Sequence, residues 1–170
     1  QLPQDLAGMK FRVPNNPLWV EFFGKMGAAP TPMAFGEVYN ALQMKVVDGQ
    51  ENPISVIVAN NINQVQKFMT LTNHVYSPSV MICNPGMIGK LSAADRALFQ
   101  EAARAAQKAN RDRVTADDAS GVEELRRRGM TVVTQVDTSA FQTALAPAFA
   151  EWERTLDAAT LRRIREWKPN

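Results

Sequence analysis

Between Ala93 and Arg128 the chain keeps helical spacing without a proline, and an unbroken helix of that extent would be roughly 50 Å long at about 1.5 Å per residue. Its ends are marked. Ser92 followed by Asp95 is a weakened capping box, with Asp where Glu or Gln serves best. Arg126-Arg127-Arg128 before Gly129 reads as a solvated helix end whose charges favour the carboxyl-terminal dipole. One small lobe cannot cover such a helix. Either it breaks near Asp117-Asp118 or it runs across two lobes as a brace.

Upstream, strand and helix signals alternate. Phe11 and Val13 alternate with Lys10 and Arg12, so this segment reads as a short strand ending at Pro14. Asn16-Pro17 has the form of a cap followed by proline at the first helical position, with Leu18, Phe22 and Met26 at four-residue spacing up to Gly27. A Pro-rich strand around Thr31 to Met33 follows, then a helix carrying Val38, Ala41 and Leu42. Val46-Val47 lead to an Asp48-Gly49 turn, and Asn52-Pro53 repeats the cap-plus-proline signal. This βαβαβα order implies an α/β fold with a parallel-rich sheet. Lys67 to Tyr76, Ser79 to Cys83 and Thr131 to Val136 read as further strands, and Ser139 to Leu156 and Leu161 to Trp167 as closing helices. No solenoid-period repeat or low-complexity tract is present.

Composition narrows the function. A chain of 170 residues that is 45% hydrophobic can build a core. Its formal charge of +2, with Arg126-Arg127-Arg128 as the one tight basic run, does not make a nucleic-acid-binding face. The single cysteine, Cys83, cannot form an internal disulfide, and no Cys/His cluster has metal-ligand spacing. No apolar stretch approaches the length of a membrane span. The chain shows neither a signal peptide nor an initiating Met, as a processed or truncated chain would. Glu51 and Asp48 are close in sequence, but no nucleophile or second carboxylate completes a mechanism, and no Gly-rich phosphate loop follows a strand. No enzymatic activity, metal or cofactor is expected. Trp19, Trp152 and Trp167 fall at helical spacings and are expected in the core.

Four segments carry a resemblance: Arg12-Val13-Pro14, Pro30-Thr31-Pro32-Met33-Ala34-Phe35-Gly36-Glu37-Val38-Tyr39, Asp48-Gly49-Gln50-Glu51-Asn52-Pro53 and Thr72-Asn73-His74-Val75-Tyr76, in that order. Together they resemble the extracytoplasmic solute-binding subunit of tripartite ATP-independent periplasmic (TRAP) transporters, the DctP-like family, over nearly the whole chain. Members of that family are about twice this long, and the match begins in their second lobe. The resemblance implies a periplasmic-binding-protein-like lobe whose amino-terminal partner lobe is missing. It divides the chain into a second-lobe α/β core over 1–84, a long helix bracing the lobes over 85–130, and a closing strand with carboxyl-terminal helices over 131–170. It also implies a periplasmic location, a small organic acid as solute, and TRAP membrane subunits as partners. With one lobe missing, self-association or a companion chain is expected as well.

Arg12 is the central site candidate. A guanidinium offers a rigid fork of N–H donors matched to a carboxylate and keeps its charge at physiological pH. At a strand's carboxyl end it stands where ligands bind in open α/β sheets. The resemblance makes Arg12 the residue that pairs with the solute carboxylate. Asn52 reads from the residues alone as the cap before Pro53; by resemblance its amide also reaches the carboxylate. Glu51 would repel an anion, so it is expected to hold Arg12 in place. Phe35 reads as a core aromatic or, by resemblance, as a contact for the apolar side of the solute. Asn15 caps the next helix or bonds near the solute. His74, the only histidine, is a packed or surface group on a strand, or by resemblance part of a hydrogen-bond network beside the cleft. Two other readings remain: a small α/β enzyme acting on carboxylates, with Arg12 as anchor and His74 as base, and an interaction domain without a ligand site.

Overall fold

A computed structural model describes residues 2–168. Strand β1 (Lys10–Val13) is followed by α1 (Pro17–Lys25), β2 (Ala29–Pro32), a single 3-10 turn at Phe35–Glu37, α2 (Val38–Gln43), β3 (Gly49–Gln50) and α3 (Ile54–Ala59). Both neighbours of β1 run parallel to it, giving the order β2-β1-β3, with Arg12 opposite Thr31 on one side and Gln50 on the other. The start of α1 follows the local signal: the Asn16 side chain accepts from the Leu18 N–H at 2.9 Å and Pro17 takes the first helical position.

Alternation along β1 splits its side chains between two faces. Phe11 and Val13 pack with Phe23 and Met26 of the α1 region, and with Leu145 of α6 (Thr138–Thr155). The Phe11 and Phe23 rings stack with centroids 4.6 Å apart. That leaves Arg12 on the opposite face. A second core gathers Val38, Leu42, Val47, Ile57, Ile62 and Met69 with Leu125 near the end of α5 (Ala93–Arg127). Here a second sheet forms, with β4 (Phe68–Thr70) parallel to β5 (Thr131–Val133). A short helix, α4 (Pro85–Gly89), precedes α5, and α7 (Ala158–Glu166) ends the fold.

Helix α5 is continuous through Asp117-Asp118, where Arg113 Nε donates to the Asp117 carboxylate at 2.9 Å across one turn. Only Gly121 and Leu125 of its residues are buried; most of the helix from Ala93 onward is exposed. At its end Arg126 and Arg127 pair with Glu123 and Glu124, while Arg128 donates to the Asn61 side chain at 3.2 Å and ties the helix end to the loop after α3.

Several expected boundaries move. The third strand begins at Gly49 rather than ending before it. The Asp48 carboxylate accepts from the Lys10 N–H at 2.8 Å, and a Cβ on Gly49 would lie 2.9 Å from the Phe11 ring. The strand expected over Lys67 to Tyr76 stops at Thr70, because the Thr72 N–H turns back to Thr70 O and Asn73 takes a left-handed φ of 47°. His74 therefore lies in a connecting segment. Ser79 to Cys83 form no strand: Val80, Met81 and Ile82 are 80%, 66% and 86% exposed, and no described strand pairs with them. Trp167, expected in the core, is 72% exposed beyond the end of α7, whereas Trp19 and Trp152 are half-buried. The outer limits of the expected 1–84 and 131–170 divisions, at residues 1 and 169–170, lie outside the described residues.

Candidate functional site

Arg12 is 4% exposed, near the carboxyl end of the central strand. Its guanidinium donates from Nε at 3.1 Å and from Nη2 at 2.7 Å to one acceptor, the Met33 carbonyl oxygen just past β2. The Met33 N–H in turn donates to Val13 O at 3.0 Å, so the acceptor is itself fixed by β1. The Phe35 ring, half open to solvent, lies over the guanidinium with its centroid 5.9 Å from Cζ, within cation–π range. Burial lowers the Arg12 pKa from its ordinary value, and the Glu51 charge opposes that effect. Among the described residues no carboxylate forms a salt bridge with Arg12. Of five guanidinium N–H donors, the Met33 carbonyl uses two. Both hydrogens of Nη1 and one of Nη2 remain, enough to grip a carboxylate end-on.

Glu51 was expected to hold Arg12 directly. Its carboxylate instead accepts from the Trp19 indole N–H at 3.1 Å and stands 3.5 Å from His74 Nε2. Its action on Arg12 is through charge rather than a hydrogen bond. His74 Nδ1 is 2.8 Å from the Thr72 hydroxyl, and its ring packs on Phe22 and Phe23 with centroids 5.7 Å away in each case. Helix α1, the segment after β3 and the segment after β4 thus meet at one carboxylate. The imidazole, for which the sequence offered no acid partner, has one here, and both of its nitrogens face protein groups.

Asn52 does not cap α3. The N-cap position is Pro53, with no side-chain cap bond, and the Asn52 Nδ2 donates to Gln50 Oε1. Asn15 is exposed, lining a shallow groove with Pro17, Val20 and Pro32, and the cap of α1 is its neighbour Asn16. Sequence reasoning missed three members of this neighbourhood: Gln50, Trp19 and Thr72. Gln50 reaches the Arg12 face through strand register, which the local sequence, read as a turn at Asp48-Gly49, does not show. Thr72 falls within the 72–76 motif segment, two residues from His74, whereas nothing local ties Trp19 to Glu51. Among the described residues, no three His, Cys, Asp or Glu side chains gather into a group that could hold a metal ion.

The lobe is a parallel α/β layer with a buried arginine near the carboxyl end of its central strand, anchored to backbone rather than to a carboxylate among the described residues. The chain matches the bacterial extracellular solute-binding protein family 7, DctP, over residues 1–155, and it belongs to that family. A solute-binding protein of Verminephrobacter eiseniae is 48% identical over 96% of this chain and 49% of its own length. Among solved structures, a TRAP periplasmic solute-binding protein from Polaromonas sp. JS666 bound to D-erythronate superposes with a TM-score of 0.93 at 43% identity, over 99% of this chain and 56% of that one. One from Bordetella bronchispeptica, with density assigned to pantoate, gives 0.92 at 39% identity, over 99% and 56%. This chain spans about half the length of the curated relatives it matches. The family is one of solute-binding proteins, not of enzymes.

Proposed function

We propose that this chain is the carboxylate-binding part of an extracytoplasmic solute-binding protein that captures a small organic acid in the periplasm and delivers it to TRAP membrane subunits. One observation carries the reading: Arg12 is buried, paired with no carboxylate among the described residues, and turned by the Met33 carbonyl so that its Nη1 side is left to donate. An ion in that position is worth burying when it meets an anion, because a charge removed from water is costly until it is paired. Asn52 adds a neutral donor that does not repel the solute, and Phe35 offers an apolar surface above the guanidinium. The D-erythronate and pantoate of the related structures are small hydroxylated carboxylates, the chemistry a guanidinium with a free Nη1 side would pair with. In this reading residues 1–84 form one wall of a cleft, the helix within 85–130 braces it to the other, and 131–170 close the lobe.

Calorimetric titration of the full-length protein with D-erythronate and pantoate, each beside its neutral amide, tests the proposal. Binding of an acid with loss of affinity for the amide is expected. Equal binding of acid and amide would remove the carboxylate from the recognition, and consumption of the acid would require an enzyme instead.

A further inference from the structure

We infer that Gln50 is a positioning residue for Asn52, holding the asparagine amide in the orientation that donates to the solute. This rests on the carboxylate-site reading above and extends it to a residue with no role assigned so far. Three observations converge. Gln50 is the register partner of Arg12 in a parallel pair, so the two side chains leave the sheet on the same face. The Asn52 side chain makes no bond to the start of α3, where the cap is Pro53. Its amide nitrogen donates instead to Gln50 Oε1, and both residues are only half-buried.

A carboxamide presents two chemically opposite ends, and an asparagine beside an anion is useful only when its NH₂ end faces that anion. Unconstrained, the group is free to turn its oxygen inward and repel the solute. Gln50 Oε1 accepts one N–H of Asn52 and so turns the NH₂ end toward β3, where Gln50 is the register partner of Arg12. The second N–H of Asn52 is left to donate. Gln50 keeps its own NH₂ group, for which no described residue is a partner. Fixing a donor before the ligand arrives improves affinity by sparing the ordering cost at binding.

The test is a double-mutant cycle in the full-length protein, with D-erythronate as the probe in calorimetric titration. Gln50→Met is expected to weaken binding about five- to tenfold, the scale of one net hydrogen bond. In an Asn52→Ala background the same substitution is expected to change affinity by less than about twofold, because a positioning residue has nothing left to position. Wild-type affinity for Gln50→Met, or a loss undiminished in the Asn52→Ala background, overturns the inference while leaving the carboxylate site standing. A direct readout needs no variant and no ligand. In the ¹H–¹⁵N spectrum of the wild-type protein the Asn52 side-chain amide protons should be shifted apart and slow to exchange. Free-amide shifts and exchange overturn the inference. If the wild-type protein binds neither D-erythronate nor pantoate, the site reading falls, and the amide spectrum still decides whether Gln50 holds Asn52.

Discussion

Arg12 and Met33 are joined through two donors and one acceptor: Nε and Nη2 of the guanidinium converge on the Met33 carbonyl oxygen at 3.1 and 2.7 Å. The acceptor is backbone, held to β1 through the Met33 N–H, so the direction of the cation is set by the sheet rather than by a mobile side chain. Preorganised donors of this kind cost little to align when a ligand binds. The motif segments 12–14 and 30–39 are therefore linked physically as well as in order: the second provides both the acceptor for Arg12 and, in Phe35, the ring above it.

Arg12→Lys should weaken acid binding by more than tenfold in the full-length protein. A lysine ammonium keeps the charge but offers no planar fork, and it cannot satisfy Met33 O through two nitrogens while gripping a carboxylate through a third. Calorimetry with D-erythronate measures the effect; an unchanged dissociation constant would show that the anchor lies elsewhere.

Gly121 sits where α5 crosses α3, and a Cβ built there would come 2.2 Å from Ile54 Cγ2. That methyl branches from the β-carbon and has little rotamer freedom. Gly121→Ala gains about 1 kcal/mol of helix propensity but overpacks a buried contact at about 1–3 kcal/mol. Net destabilisation is expected in urea unfolding, and Ile54→Ala in the same background should recover part of it. If the single variant is as stable as the wild type, the close crossing of α3 and α5 is wrong.

The order of elements was legible because its signals are local. Asn16-Pro17 caps α1 whatever surrounds it, the two-residue period of Lys10–Val13 requires only one buried face, and a proline-free stretch from Ala93 has nothing to break it. Where a choice depended on a distant partner, the sequence was silent. Ser79 to Cys83 have strand composition, yet a strand needs a neighbour to bond to. Asn52 carries a cap signature, yet α3 starts one residue later with Pro53 at the cap position, and the Asn52 amide nitrogen donates to Gln50 Oε1 instead. Glu51 is adjacent in the chain to a site residue, yet its hydrogen-bond partner is Trp19, 32 positions away. The position of Arg12 was legible for a simpler reason: with Lys10 it lies on the face of β1 opposite the Phe11 and Val13 core, and of the two it is the one toward the strand's carboxyl end.

The Asp137 carboxylate caps α6, accepting from the Ser139 N–H at 3.0 Å and from the Ser139 hydroxyl, and these bonds lower its pKa below the ordinary aspartate range. A carboxylate with a depressed folded-state pKa stabilises the fold fully above its unfolded pKa of about 3.9, and that contribution disappears as pH falls through the folded value. Asp137→Ala should therefore lower the thermal midpoint at pH 7, and the gap should narrow as the pH falls through the depressed folded-state value. Paired melting curves across that range test it. A gap that persists in acid would assign the effect to packing rather than to the charged cap.

The 170-residue chain on its own leaves large apolar side chains open to solvent. Tyr76, Val80, Met81 and Ile82 are 66–91% exposed, Leu98 is 63% exposed on the amino-terminal half of α5, and Ile164 and Trp167 are 67% and 72% exposed near the last helix. Of these, Tyr76 and Val80 to Ile82 fall close together in the chain, and an exposed apolar run of this kind usually meets a partner surface. An acid site also gains strength when water is excluded from both sides of the bound charge. The isolated chain is accordingly expected to associate with itself or with a companion chain, and to bind D-erythronate far more weakly than the full-length protein. Light scattering and calorimetry on the same sample check both halves. A stable 18.8 kDa monomer that binds the acid with micromolar affinity would show that one wall is enough.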